Sequence, residues 1–139
     1  MKSSTKADLD KLHKKVARKG RKQIQSRKVE YNGVIFDSIG ECAGFKRREL
    51  LEKAGEIFNL EYHRETYRLE VNGVLIAKYT PDYWYLDKNS NLIIEDFKPK
   101  AKTAAQRRYL QGTASWIRYR FNCKLMKAIH GIDVETVYE

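Results

Sequence analysis

The sequence predicts a mixed α/β domain in α+β order: a helix, three mainly antiparallel strands, a long helix and a final strand. Three observations carry this expectation. Asn72-Gly73 is the strongest short hairpin signal in the chain, and Lys88-Asn89-Ser90-Asn91 marks a second turn, so strands should flank both. Over residues 103–130 apolar side chains recur at helical spacing, with Tyr109, Trp116, Ile117, Phe121, Leu125 and Ile129 forming the series. Ile132 to Tyr138 then alternates with period two, as a half-buried strand does.

Taken in order, residues 1–28 form a basic arm and residues 29–139 a folded body. The arm carries eleven Lys or Arg against Asp8 and Asp10. Leu9, Leu12 and Val16 sit at helical spacing, and Thr5 with Asp8 resembles a cap, but that stripe is too narrow to hold a helix alone. The arm is expected to stay disordered or partly helical until it meets phosphate or a partner, with Lys14, Lys15, Arg18, Lys19, Arg21 and Lys22 as candidate nucleic-acid contacts. The body opens with a strand at Val34 to Phe36 after Asn32-Gly33. Ser38 caps the helix that follows, and Glu41 takes the fourth position of an S-x-x-E capping box. Ala43, Phe45, Leu50, Leu51 and Ala54 supply its apolar content, Gly55 stops it, and Lys46-Arg47-Arg48 is a basic patch facing either phosphate or water. Thr66 to Val71 pairs with Val74 to Leu86, in which Pro81 predicts a local bend beside Asp82. The next strand runs through Leu92 to Lys98. In the long helical stretch Gly112 is a candidate interruption and Gly131 the end.

The chemistry is concentrated in residues 80–100. Alternation on a strand puts Asp96 and Lys98 on one face and Glu95 and Phe97 on the other. If the strands on either side of the second turn pair, Asp82 and Asp96 meet near the open end of that hairpin. Two carboxylates and an ammonium then lie together, which suits a hard divalent cation and an activated water. The competing reading is an ordinary charge pair at a sheet edge. Glu41 likewise has two candidate roles, metal ligand and helix cap.

Pro-Asp followed about a dozen residues later by Asp-x-Lys resembles the PD-(D/E)XK nuclease superfamily. Upstream, Tyr31-Asn32-Gly33-Val34-Ile35-Phe36-Asp37-Ser38 and then Glu41 look similar to the opening of a group of small bacteriophage and prophage endonucleases of that superfamily, and Leu50 to Ile57 looks similar to the segment that ends the first helix in that group. The resemblance runs from about Tyr31 to about Thr103, half of the chain. It implies a restriction-endonuclease-like core and a metal site in which Glu41, Asp82, Asp96 and the Phe97 carbonyl hold Mg²⁺, with Mn²⁺ able to substitute, while Lys98 activates water. It departs from the pattern at Pro99, where a glycine more often follows the lysine. That group includes Holliday-junction resolvases, so the resemblance implies a homodimer cutting four-way junctions. A sequence- or mismatch-directed nicking enzyme of the same fold, and a non-catalytic basic nucleic-acid-binding module, are the alternatives.

Composition points to the same class of partner. The chain has 28 Lys and Arg against 18 Asp and Glu, a net charge of +10 that favours a polyanion such as DNA. Lys100, Lys102, Arg107 and Arg108, with Arg118, Arg120 and Lys124, offer a second basic surface, and Gln106 a group for orienting substrate. No apolar run reaches membrane-spanning length and no signal-peptide core is present, so a cytoplasmic protein is expected, in a bacterial host if phage-encoded. Cys42 and Cys123 stand far apart, without metal spacing, and read as packed thiols. His13, His63 and His130 form no close pair, and no glycine-rich phosphate loop supports nucleotide hydrolysis.

Overall fold

A computed structural model describes residues 26–139. The six candidate contacts of the arm, Lys14 to Lys22, and the short helix expected before Gly20 lie outside the described residues. The first described elements are a ribbon of β1 (Val29–Tyr31) and β2 (Val34–Phe36) around Asn32-Gly33. Ser38 follows in extended conformation and its hydroxyl accepts the Glu41 amide at 3.1 Å, starting helix α1 (Ile39–Lys53) as its sequence requires.

The strands differ from expectation in two places. β3 (Ile57–Tyr62) was not foreseen, and Ile57 opens it instead of lying in the helix end. Asn59 at φ 57° and a register shift between Phe58 and Glu61 explain why: the bulge destroys the alternation by which a strand is recognised. The stretch Val74 to Leu86 is two strands, β5 (Val74–Tyr79) and β6 (Tyr83–Asp87). Thr80-Pro81-Asp82 carries the chain from a separate two-stranded ribbon, β5 with β4 (Tyr67–Val71), into the main sheet. Proline has no amide hydrogen to give a ladder, so a strand boundary falls there.

The main sheet has four strands in the order β3-β6-β7-β8, where β7 is Leu92–Lys98 and β8 is Val134–Tyr138. The first three are antiparallel and β8 runs parallel to β7, so the expected antiparallel trio is completed by β3 and not by β4. The long helical stretch divides at Gly112-Thr113 into α2 (Ala104–Gln111) and α3 (Ala114–Leu125). α3 continues through a π-helical turn, Met126–His130, closed by Gly131 at φ 68°. Gln106 belongs to the cap of α2: its side-chain oxygen accepts the Lys102 amide while the Thr103 hydroxyl accepts the Gln106 amide, so one end of the group assigned to substrate is engaged in the cap.

The sheet separates two unlike layers. On one face Tyr67, Leu69, Tyr79, Ile94, Tyr119 and Met126 form an apolar core beneath α3 and the β4-β5 ribbon. The buried positions of α3 are Tyr119 and Asn122, whereas Ile117 and Phe121 of the expected apolar series are exposed, Phe121 by 60%. On the other face α1 lies close, because Gly40 and Gly44 face the rings of Phe97 and Tyr83, and a Cβ at either would collide with them. The inward side of α1 carries Cys42, Gly44 and Arg48, while Leu50 and Leu51 are exposed.

Arg48 is the middle of the basic patch and faces neither water nor phosphate. It is buried, pairs with Glu95 of β7 through Nε and Nη2, donates to the Gly44 carbonyl at 2.9 Å, and reaches Glu139 at 3.2 Å. Its guanidinium lies 4.1 Å from the centroid of the Tyr83 ring, and Tyr85 completes the shell by donating to Glu95. Breaking such a buried pair leaves an uncompensated charge. We expect Arg48→Ala to lose roughly 3–5 kcal/mol of stability in urea denaturation followed by circular dichroism; a loss below about 1 kcal/mol would show that the pair does not fasten α1 to the sheet.

Candidate active site

The carboxylates gather where β6 enters the sheet and β7 leaves it. Pairing of Tyr83 with Glu95 puts Asp82 and Asp96 one step beyond the ladder, at the open end of the hairpin. There the Asp82 side chain replaces the missing ladder bond by accepting the Phe97 amide at 2.8 Å. Its other oxygen is 3.0 Å from His63 Nε2, and its backbone carbonyl accepts the His63 amide. Asp96 is held by the Tyr79 hydroxyl and by Lys98 Nζ, each at 2.6 Å. Lys98 also sits 4.0 Å from the Tyr119 ring centroid, so its ammonium is fixed between a carboxylate and an aromatic face.

Glu41 approaches from the first turn of α1. Its amide completes the Ser38 cap, but its carboxylate accepts from the Tyr62 hydroxyl. Glu41 is therefore half of a capping box: the backbone half forms and the side chain turns toward β3 and the carboxylate cluster. Tyr83 donates to the Glu41 carbonyl at 2.7 Å, which ties this turn to the residue after Asp82.

The electrostatics follow from burial and from the shared charge. Burial raises the Asp96 carboxyl above its ordinary range and the Asp82 charge adds to this, against the lowering influence of Lys98 and Tyr79. Glu41 is raised by the same two causes, burial first and Asp82 second, with Tyr62 opposing them. For His63, burial disfavours the imidazolium, yet the hydrogen bond and charge of Asp82, helped by Asp37 and Glu41, outweigh it and raise the group. Tyr62 and Tyr79 are raised chiefly by burial, so both phenols remain donors across the physiological range.

Asp82 thus sits close enough to perturb both Glu41 and Asp96. The three do not converge on a single coordination shell, because each is drawn toward its own donor. Among the described residues, the one group of three His, Cys, Asp or Glu whose ligand atoms lie within 4.8 Å of one another is Asp37, Glu41 and His63. A hard divalent cation fits this donor set, which is dominated by carboxylate oxygen and lacks thiolate. A cation would also relieve the repulsion that raises Glu41 and Asp96.

The signals for the supporting groups were weak or hidden. Asp37 stands in the Tyr31 to Glu41 motif without a role of its own, and Tyr62 and His63 lie at the end of the unforeseen β3. Tyr62 stacks on His63 with centroids 3.8 Å apart and accepts the Asp37 amide at 3.2 Å, so the three form one bracket around Glu41. Of the second basic surface, Lys100 and Lys102 lie in the segment after β7, and Arg107 and Arg108 on α2, a helix with no buried residue.

A family model described as "Protein of unknown function (DUF1064)" matches residues 21–129. The chain belongs to the DUF1064 family. No curated protein and no solved structure matches it. The span matched to DUF1064 takes in Glu41, Asp82, Asp96 and Lys98 and stops before β8. No helix among the described residues is long and apolar enough to cross a membrane.

Because protons compete with a cation for raised carboxylates, divalent-ion affinity should fall as pH drops through the raised pKa values of Glu41 and Asp96, beginning above the ordinary carboxylate range. Calorimetric titration of this DUF1064 chain with Mn²⁺ at several pH values checks this, and Glu41→Gln, which alters the carboxylate shared by that donor group and the Asp82 neighbourhood, should largely abolish the binding heat. Binding that is flat from pH 7 to pH 5, or unchanged in the variant, would count against this site.

Proposed function

We propose that this chain is a metal-dependent endodeoxyribonuclease of the PD-(D/E)XK type that acts on branched DNA as a homodimer, a four-way-junction resolvase in the cytoplasm. The observation that carries the reading is the pairing of Asp96 with Lys98 on one strand face, beside Asp82 and the carboxylate of Glu41. The order of α1, three antiparallel strands, α3 and a parallel fourth strand supports a restriction-endonuclease-like core. The net charge of +10 supports a polyanionic substrate.

Glu41, Asp82, Asp96 and the Phe97 carbonyl would hold Mg²⁺ or Mn²⁺ once Asp82 and Asp96 turn from their present donors, and Asp37 and His63, whose donor atoms already lie near that of Glu41, would be further ligands. When bound, the cation supplies charge stabilisation at the phosphate oxygens and acidifies water. Lys98 would orient the attacking water through its ammonium, and would accept the water's proton only after passing one of its own to Asp96, to which its Nζ is already hydrogen-bonded. Without a cation, Tyr79 holds the second Asp96 oxygen and keeps the carboxylate beside Lys98. His63 does the same for Asp82. Recognition of a junction by phosphate geometry asks for basic surface and no base-reading module, in keeping with the arm and with Lys100, Lys102, Arg107 and Arg108.

Incubation with labelled four-way junction and matched linear duplex, with Mg²⁺, Mn²⁺ or neither, tests the reading. We expect paired symmetrical cuts in the junction that need the metal and vanish in Asp96→Asn while binding persists. Lys98→Ala should slow cleavage by about 100-fold or more without a matching loss of affinity. Cuts in duplex at a mismatch or fixed sequence would favour the nicking enzyme. Tight binding without cleavage in either metal would leave a basic DNA-binding protein.

A further inference from the structure

Strand alternation places more than Asp96 and Lys98 on the α3 side of the sheet. In the parallel ladder Asp96 is opposite Thr136 and Lys98 is opposite Tyr138, so these four side chains share one face. Tyr119 confirms the shared face by contacting both Lys98 and Thr136, the latter at 2.6 Å. One turn earlier on α3, Trp116 packs edge-on against Tyr119 at 5.6 Å and lies 6.3 Å from Tyr138. Beyond them opens a cavity of about 390 Å³ between α2 and the strand ends. Trp116, Tyr138 and Leu110 give it apolar walls, and Lys100, Arg107 and Gln111 stand at its edge. Pro99, the residue after Lys98, also lines it.

An apolar, aromatic cavity rimmed by two cations and one amide fits a flat heteroaromatic ring attached to an anion. The charge around it is one-sided, since residues 98–127 contain nine Lys or Arg and no Asp or Glu. We propose that this cavity receives an unpaired nucleobase adjoining the scissile phosphate, with the base against Tyr138 and Trp116, its edge toward Gln111, and the neighbouring phosphate on Lys100 and Arg107. The identity of the ligand rests on the nuclease reading; the cavity gives that reading a substrate class, DNA with a nucleotide that is unstacked or readily extruded beside the cut. Stacking tolerates any base, so selection here is for the unpaired state and not for sequence.

The test uses the full chain in EDTA, so that binding is read without cleavage. Fluorescence anisotropy compares a hairpin DNA carrying a single-nucleotide bulge with its fully paired counterpart. The bulged DNA should bind about tenfold more tightly. A 5-iododeoxyuridine at the bulge should photocrosslink to Trp116 or Tyr138, located by mass spectrometry. Tyr138→Ala and Arg107→Ala alter exposed side chains outside the apolar core; each should reduce the preference to twofold or less while the melting temperature stays at the wild-type value. Equal binding of the two DNAs, or a full preference in both variants, overturns the proposal. Metal-dependent cutting without bulge preference would overturn it and leave the nuclease reading standing. Bulge preference with a mapped crosslink but no cutting in Mg²⁺ or Mn²⁺ would uphold the cavity and overturn the nuclease.

Discussion

The buried guanidinium of Arg48 is the constraint on which the rest of this domain depends. Glu95 and Asp96 are adjacent carboxylates in the middle of a sheet, and strand geometry sends them to opposite faces. Both are buried, and each would be costly alone. Glu95 is answered by a fixed cation, Arg48, reinforced by Tyr85 and shared with Glu139. That pair presses α1 onto β7, which the two glycines of the helix permit. Glu41 lies two turns before Arg48 on the same helix, so its position over Asp82 is set by a contact remote from the carboxylates themselves.

Asp96 is answered differently. Its partners are a neutral phenol and a lysine that is partly accessible to solvent, with Nζ held in contact and not locked between two acids. A carboxylate so placed keeps lone pairs for another ligand and an ammonium within proton-transfer distance. The same logic runs through the cluster. Glu41 receives Tyr62, Asp82 receives a backbone amide and an imidazole, and none receives an arginine. Burial raises both phenols, so they donate without adding charge, and the surplus of negative charge is left uncancelled. A structural ion-pair network would have been neutralised, as the Glu95 side was.

Much of this was legible in the chain because the relevant signals are local. The Asn-Gly turns, the Ser38 cap, the last strand and the Asp-x-Lys triplet depend on a few neighbouring residues, and each forms, although the strand expected from Ile132 begins only at Val134. Ser90 at φ 60° likewise marks the second turn. What stayed hidden required knowledge of packing. β3 is concealed by its bulge, and with it Tyr62 and His63. The single run Val74 to Leu86 hid a change of sheet at Pro81, since hydrophobic alternation does not say which partner a strand will take. Arg48 looked like one of three surface cations because nothing local announces that Glu95 will face it. The apolar series of the long helical stretch held only in part: Trp116, Leu125 and Ile129 pack against the core, but Ile117 and Phe121 do not, because the sheet beneath α3 presents Asp96 and Lys98 and the buried positions of α3 are taken by Tyr119 and Asn122.

Charge is divided along the chain in a way that separates affinity from placement. Residues 29–139 hold 17 basic and 16 acidic side chains, so the body is almost neutral and nearly all of the net charge belongs to residues 1–28. Within the body the signs are segregated. The segment after Lys98 is purely basic as far as Lys127, whereas the acids of the body all lie before it or after it, chiefly on α1, most of the strands and the carboxylate cluster. A polyanion drawn in by the basic residues meets repulsion from the cluster itself, and only the α2-α3 side of Lys98 attracts it. On the nuclease reading proposed above, a DNA backbone would be held on that side, and a bound cation would ease its passage over the carboxylates. Lys98 stands at the border between the two fields, in contact with Asp96 on one side and with the Tyr119 ring of α3 on the other.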